Sequence, residues 1–411
     1  MIDSAFRCRS CGSASLRLIL SLGRTPLANA LLTAEQLDRP EPVYPLDVVF
    51  CADCALVQIA ETVPPEALFS DYLYFSSFSD TMLAHAEALV GELAGARGLN
   101  AESLVVEIAS NDGYLLQFYQ RRGVPVLGIE PAANIAQVAE RERGIPTLCE
   151  FFGAELGERL RAEGRAADVI HAHNVLAHVA DLNGVVRGIA ALLKPGGVAV
   201  IEAPYVKDLI DSREFDTIYH EHLCYFSLTA LDRLFTRHGL VIADVRRVPI
   251  HGGSLQVHVM RAEMAARGAA TQALLDEEAA WGVDDFAFYA GFARAVEALR
   301  ADLRALLGGL KAQGRTIAAY GASAKGSTLL NYFGIGAETL GFVADRSTYK
   351  QGRYTPGTHL PICAPTKLLE AQPDYTLLLT WNFAAEILDQ QAEYRRRGGQ
   401  FIIPIPQVRV V

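Results

Sequence analysis

The sequence predicts an α/β protein in which a small cysteine-bearing N-terminal domain precedes two doubly wound units. Three observations carry this expectation. Two C-x-x-C pairs lie before residue 55, apolar strands alternate with helices from about residue 80, and a second strand, small-residue loop and helix begin at Arg315. The 411 residues suit two or three domains, each long enough to bury its own core. The expected divisions are 1–70, 71–265 and 266–411.

Hydrophobic residues make up 51% of the chain and charged residues 20%, which excludes the highly charged, apolar-poor disordered class. Lys and Arg number 37 against 47 Asp and Glu, so the net charge of −10 opposes binding to a phosphate backbone and no nucleic-acid partner is expected. Met1 to Cys8 lacks the apolar core of a secretion signal. No later stretch reaches the ~18 apolar residues that span a bilayer. The expected location is the cytoplasm, with no membrane partner.

That reducing address disfavours disulfides among the seven cysteines, and the first four have metal-ligand spacing. Cys8 and Cys11, and again Cys51 and Cys54, put two thiolates on one tight turn, so four sulfurs can close a tetrahedral zinc site. A full coordination shell leaves no place for water or substrate, so the zinc is expected to be structural. The alternatives are four reduced thiols, with Cys51 and Cys54 flanking a hairpin, or redox exchange. The latter lacks a surrounding thioredoxin-like βαβ pattern.

Thr81 to Gly95 reads as an amphipathic helix, Ser103 to Ala109 as an apolar strand, and Ser110-Asn111-Asp112-Gly113 as a polar turn opening the next helix. Such a turn after a first strand is where open α/β sheets bind nucleotides. The following strand, Val126 to Ile129, ends in Glu130-Pro131, which places a carboxylate to accept hydrogen bonds from a ribose diol. Asp112 and the missing G-x-G-x-x-G spacing make the turn a poor pyrophosphate cradle. A cationic, phosphate-free adenosine ligand, S-adenosylmethionine, fits better. Ala167 to His178 then looks like a fourth strand running into an active-site loop through Asn174, and Leu193 to Glu202 like a turn and fifth strand. Together these segments resemble a class I methyltransferase.

Beyond the fifth strand, Tyr219-His220-Glu221-His222 is dense in titratable groups and lies outside the carboxyl end of a central strand. An extended segment would put Tyr219 and Glu221 on one face and the two histidines on the other, whereas a turn would let three converge. With His178 or His173, these residues could ligate a second metal. General base chemistry is the preferred expectation, because a histidine near its ordinary pKa accepts a proton at neutral pH and a carboxylate steadies the imidazolium. His220 is expected to be structural and Cys224 simply buried. Ser227 caps a helix running to Gly239.

Trp281 to Gly309 reads as helical and as a bridge between the two α/β units. Arg315 to Tyr320 is then a strand, Gly321-Ala322-Ser323-Ala324-Lys325-Gly326 a loop, and Ser327 to Tyr332 the start of a helix. The lysine precedes the last glycine, which excludes a Walker loop, and the glycines do not have dinucleotide spacing. Backbone N–H groups, a helix N-terminus and Lys325 can still hold a diphosphate. The alternative for Lys325 is a solvated surface lysine. The candidate residues are Tyr320, Gly321, Ser323, Lys325, Gly326 and Asn331, with Asp345 either on a ribose or in the next turn, and Lys350 at the border of the pocket.

The Cys8/Cys11 and Cys51/Cys54 pairs, Glu107 to Tyr114, Tyr219 to His222 and Tyr320 to Gly326 occur in that order. Over nearly all its length the chain resembles the sugar-nucleotide C-methyltransferases that branch carbon 3 of deoxysugars, the tetronitrose and mycarose type. The resemblance implies a zinc-binding N-terminal domain, a central class I Rossmann-like methyltransferase domain and a C-terminal Rossmann-like domain that helps hold a nucleotide sugar. It implies that Tyr219, Glu221 and His222 line the reacting carbon, with His222 the base and His178 a helper. It also implies that Asp71 to Ser77, with Tyr74, closes over the cofactor. Cofactor contacts are expected at Ala109, Ser110, Asn111, Asp112, Glu130, Pro131 and Asn174. Ala109 departs from the glycine common in this class, which tightens the approach of the backbone to the cofactor.

A carbon nucleophile needs an acidified C–H bond, so the expected partner is a 4-keto sugar on a nucleotide. His222 would take the carbon 3 proton to give an enolate, which attacks the sulfonium methyl in line. The rivals are an O- or N-methyltransferase, which the central domain alone would suit equally, a nicotinamide-dependent oxidoreductase, and a noncatalytic binding module.

Overall fold

A computed structural model describes residues 5–64, 76–78, 80–250 and 252–411, which form three β-sheets with their covering helices. The N-terminal sheet is built from strands β1 (Leu16–Pro26), β2 (Val43–Cys51) and β3 (Val57–Ile59), all antiparallel. Its inner face carries Leu20, Leu22, Leu46, Val48 and Phe50 into the core.

The central sheet is formed by β4 (Val105–Ile108), β5 (Val126–Ile129), β6 (Thr147–Leu148), β7 (Ala167–His173), β8 (Leu193–Pro204), β10 (Leu240–Val248) and β11 (Ser254–Arg261), in the order β10-β11-β8-β7-β4-β5-β6. The first five strands in sequence are parallel, and β11 inserts antiparallel beside β8. β4 and β5 are buried at every position, as a parallel sheet covered on both faces requires. The Asp80–Arg97 helix covers one face with Met82, Ala86, Leu89, Val90 and Leu93, a helical spacing that yields one apolar stripe. His85 on the same helix reaches buried Glu202 of β8 at 2.7 Å, and His173 of β7 meets the other oxygen at 2.8 Å. The His85 contact pins the helix to the sheet, and the His173 contact ties β7 to β8.

One short strand crosses between domains. β9 (Cys224–Tyr225) leaves the central chain and adds to β3, pairing Val57 with Tyr225 and Gln58 with Cys224. The N-terminal sheet is therefore completed by residues that immediately follow the Tyr219–His222 segment.

The C-terminal sheet has the order β14-β13-β12-β15-β16-β17, with β12 (Ile317–Tyr320), β13 (Val343–Ala344), β14 (Ile362–Cys363), β15 (Tyr375–Leu378), β16 (Gln400–Ile403) and β17 (Arg409–Val410). All pairs are parallel except β16 with β17. Between the two large sheets, the helical region begins earlier than the sequence suggests. A helix spans Ala269–Trp281 and stops at left-handed Gly282, a short turn covers Phe286–Tyr289, and the long helix runs Phe292–Ala312. The break falls where a continuous helix was expected because Gly282 and the Asp285 cap satisfy the two helix ends separately. Buried Glu278 ties this region to the central domain by accepting from the Tyr205 hydroxyl and the Leu228 and Thr229 N–H groups. Tyr289 packs on Phe50 at 5.0 Å, so the bridge also touches the N-terminal sheet. Among the described residues no helix is long and apolar enough to cross a membrane.

Candidate active site

Four sulfurs define the first centre. Cys8, Cys11, Cys51 and Cys54 bring their Sγ atoms within 4.8 Å of one another, a spacing that fits one tetrahedral ion. Cys51 closes β2, and the backbone then turns so that the Ala55 N–H meets the Cys51 carbonyl at 2.9 Å. Neighbouring Cys51 and Cys54 thiols pull the Cys8 thiol well below its usual range, the state a bound cation extends to all four. The Gln58 amide donates to Cys8 Sγ at 3.1 Å and accepts the Arg9 N–H at 3.0 Å, which fixes the first knuckle.

The second centre lies at the carboxyl end of β4. Ala109, Asn111 and Gly113 all have positive φ (52°, 50° and 76°), so the chain folds back sharply after Ile108. Ala109 thus occupies a conformation that favours glycine, which accounts for glycine being common there. A side chain at Gly113 would meet Ile145 at 2.9 Å, and one at Gly128 would meet Ser110 Oγ at 2.5 Å, so both glycines are sterically required. Glu130 accepts the Asn111 N–H at 3.0 Å and the Ala132 N–H at 2.9 Å, leaving each oxygen a further lone pair.

Three carboxylates crowd this turn. Glu107 is 1% exposed, and burial together with Asp112 and Glu130 holds its carboxyl well above the usual range. Among the described residues Glu107 Oε2, Asp112 Oδ1, Ser110 Oγ and Asn174 Oδ1 are buried without a hydrogen-bond partner. Such orphaned acceptors call for a cationic, donor-rich ligand, and the ammonium and ribose of S-adenosylmethionine provide both charges and donors. Asn174, at φ 56°, follows β7 and anchors its N–H on the Glu202 carbonyl at 2.9 Å. Pro131 is half-buried beside Glu130. Of the segment expected to close over the cofactor, residues 71–75, Tyr74 included, lie outside the described residues. Ser76 and Ser77 are described and do reach the turn: the Ser76 N–H meets Asn111 Oδ1 at 2.9 Å and Ser77 Oγ meets Asp112 Oδ2 at 2.5 Å.

The third centre is a turn. His222 N–H bonds the Tyr219 carbonyl at 2.9 Å, which rules out the extended form and gathers the side chains. His222 Nδ1 lies 2.8 Å from the Thr217 carbonyl and Nε2 lies 2.8 Å from the Tyr219 hydroxyl. A carbonyl only accepts, so Nδ1 carries a hydrogen, and in the neutral ring Nε2 holds the lone pair. The His178 ring stands edge-on to His222 with centroids 4.7 Å apart, and burial pushes its pKa down to about 4, so it is neutral. Burial pushes the Glu221 carboxyl up to about 7, against Asn29, which donates to Oε1 at 2.7 Å, and against the charge of Lys350. His220 points the other way, with Nε2 on the Pro45 carbonyl at 3.1 Å, a structural position. No metal cluster other than the four cysteines occurs among the described residues.

The loop after β12 approaches the same region. Thr328 Oγ1 meets the Ile218 carbonyl at 3.3 Å, so the Ala324–Phe333 helix packs next to the Tyr219–His222 turn. Ser323 caps that helix by accepting the Gly326 N–H at 3.1 Å. Gly321 (φ 96°) leaves room for Thr380, 2.5 Å from where a Cβ would sit. Asp345 accepts the Ala322 and Ser347 N–H groups at 2.7 and 2.8 Å, and Lys350 donates to the Ala322 carbonyl at 2.9 Å. Both residues shape the loop. Tyr320 is buried in the domain core with Leu378, Tyr394 and Phe401, and the Asn331 amide holds the Ser327 and Pro356 carbonyls, so these two act from behind. Lys325 is not a solvated surface lysine. Its buried ammonium lies 4.9 Å from the Trp381 ring centre, and burial raises the Glu214 and Asp216 carboxyls to about 8 and about 6 even though Lys325 draws both down. Asp216 also accepts the Trp381 indole N–H at 2.7 Å.

Sequence reasoning missed Asn29, Glu214, Asp216 and Trp381. Asn29 carries no local motif, and its partner lies in another domain. Asp216 sits three residues before Tyr219, and its density of acidic neighbours was the only available sign.

Residues 249–406 match the C-methyltransferase C-terminal domain family, residues 82–245 a methyltransferase domain family, and residues 8–69 a family described as zinc-binding. The C-methyltransferase NovU of Streptomyces niveus is 39% identical over 406 residues, covering 98% of this chain and 96% of that protein. The ubiquinone biosynthesis O-methyltransferase of Methylobacterium sp. (strain 4-46) is 27% identical over 165 residues, covering 36% of this chain and 63% of that one. The magnesium protoporphyrin IX methyltransferase of Synechocystis PCC 6803, solved with bound S-adenosylhomocysteine, has 14% identity and a TM-score of 0.36, and covers 48% of this chain and 91% of that one.

Proposed function

Since the chain belongs to the C-methyltransferase family that includes NovU, we propose that it methylates carbon 3 of a 4-keto deoxysugar carried on a nucleotide, with His222 as the base. It is an S-adenosylmethionine-dependent C-methyltransferase with a zinc-binding N-terminal domain. Bound S-adenosylmethionine supplies an electrophilic methyl group, and Glu107, Asp112 and Glu130, walled by Ala109, Ser110, Asn111, Pro131 and Asn174, would hold its cationic tail and ribose.

The observation that carries the proposal is the pair of contacts that fixes the His222 ring. Its Nδ1–H is committed to the Thr217 carbonyl, so the basic lone pair is on Nε2, beside the Tyr219 hydroxyl. Nε2 takes the proton from carbon 3, and the electron pair of that C–H bond moves toward the neighbouring ketone to form an enolate. The Tyr219 O–H leaves the Nε2 lone pair as that lone pair takes the proton, and donates to the enolate oxygen instead. Glu221 offsets the positive charge gained by the imidazole, and neutral His178 packs the ring in place. The Ser323 hydroxyl and Lys325 take the diphosphate, while Asp345 and Lys350 hold the Ala322 peptide between them. Lys325 faces Glu214 and Asp216, and a bound diphosphate would draw its ammonium toward the loop.

The test is incubation of the whole protein with methyl-labelled S-adenosylmethionine and a panel of 4-keto nucleotide sugars. The label is expected on carbon 3. A ketone at carbon 4 acidifies carbon 5 as well, so product NMR decides the position, and label at carbon 5 would revise the site while keeping the enolate chemistry. Label on oxygen or nitrogen would replace the proposal with its O- or N-methyltransferase rival, and consumption of reduced nicotinamide would point to an oxidoreductase.

A further inference from the structure

We propose that Asn29, from the N-terminal domain, is a positioning residue of the Tyr219–His222 turn that holds the Glu221 carboxyl group and favours its ionised form. The proposal rests on Tyr219 to His222 being the proton-transferring segment. Asn29 follows β1 on an exposed turn, yet its Nδ2 lies 2.7 Å from Oε1 of a carboxylate that is 5% exposed. The amide presents its NH2 side to this oxygen, the arrangement that suits the ionised form of the carboxyl group.

The turn that carries Asn29 is not free to wander. Leu31 N–H meets the Asn29 carbonyl at 2.8 Å, and Leu32 exchanges two backbone hydrogen bonds with Tyr354, at 3.0 and 2.9 Å. Tyr354 lies four residues beyond Lys350, the charged group of the C-terminal domain that faces Glu221. From the central domain the facing titratable group is His178, which meets the Glu221 main chain, and on the turn itself the neighbours are Tyr219 and His222. Asn29 is thus the N-terminal domain's contribution to a carboxyl group that all three domains surround. An amide that hydrogen-bonds the charged form of a buried carboxyl favours ionisation, so its removal shifts the proton equilibrium toward the neutral acid. An asparagine that only packed beside the carboxyl group would leave that equilibrium, and the acid limb of turnover that follows it, where they are.

The zinc-loaded full chain is labelled with 13C at glutamate side-chain carboxyls, and the Glu221 resonance is assigned by its loss in Glu221→Gln. Asn29→Leu is expected to move the Glu221 midpoint upward by about one pH unit, with Asn29→Ser, which keeps a donor, falling between. S-adenosylhomocysteine binding should be unchanged in both. Methyl transfer to the 4-keto sugar panel should show its acid limb displaced in the same direction. An unmoved midpoint in Asn29→Leu, or in Asn29→Ser should the leucine variant not fold, overturns the role of Asn29. Because the titration needs no substrate, failure of the wild type on every 4-keto sugar would instead sink the functional proposal and leave this measurement standing.

Discussion

The turn at Ser110–Gly113 and the turn at Tyr219–His222 are both short, polar and placed outside strand ends, but they are assembled differently. The first is made by neighbours in sequence: β4 delivers it, Glu130 ties it from the end of β5, and required glycines sit within twenty residues. The second is made by the whole chain. Thr217 fixes one imidazole nitrogen, Asn29 and Pro45 come from the N-terminal domain, and Thr328 and Lys350 come from the C-terminal domain. A cofactor shared by many enzymes needs only a local cradle, while a particular carbon nucleophile needs a cavity whose walls are set independently.

The contrast predicts separable damage. His222→Ala should lower methyl transfer by about 10³-fold, within the usual range for loss of a general base, while calorimetry shows the affinity for S-adenosylhomocysteine unchanged. A parallel loss of affinity would mean the two turns form one unit. Glu221→Gln probes the cost of the assembled turn. Burial raises the Glu221 carboxyl from about 4.5 to about 7, so ionising it works against the fold, and stability is lost as pH rises through that interval. The variant should therefore gain on the wild type between pH ~4.5 and ~7, by about 3 kcal/mol relative to the difference between them below that interval, measured by urea unfolding at stepped pH. A difference that does not change with pH would assign the carboxyl an ordinary environment. The smallest effect belongs to the local turn. Ala109→Gly relieves a left-handed alanine, worth ~1–2 kcal/mol, against ~0.5–1 kcal/mol of added chain freedom, for a net gain of about 0.5–1 kcal/mol. It should leave the pH behaviour of the Tyr219–His222 turn untouched.

The same contrast explains what could be read from residues alone. The strand at Val126–Ile129, the helix over Asp80–Arg97 and the Ser227 cap follow from periodicity and capping chemistry, which act over a few residues. The four cysteines declared their convergence by spacing. The folding of Tyr219 to His222 as a turn was one of two open alternatives, because a short polar run obeys its surroundings more than its own propensity. Lys325 looked like a phosphate ligand or a surface charge; its burial over Trp381 depends on residues more than fifty positions away on one side and a hundred on the other. Nothing local told of the Asn29 contact or of β9 joining the N-terminal sheet.

That last strand has a consequence for how the molecule comes into being. As the chain leaves the ribosome, the cysteine ligands emerge early and can capture their ion. β3 nevertheless keeps one row of peptide groups unsatisfied until Cys224 and Tyr225 have been made. The nascent N-terminal region is therefore sticky for much of translation. It becomes quiet at the moment the histidine that precedes β9 is drawn into register.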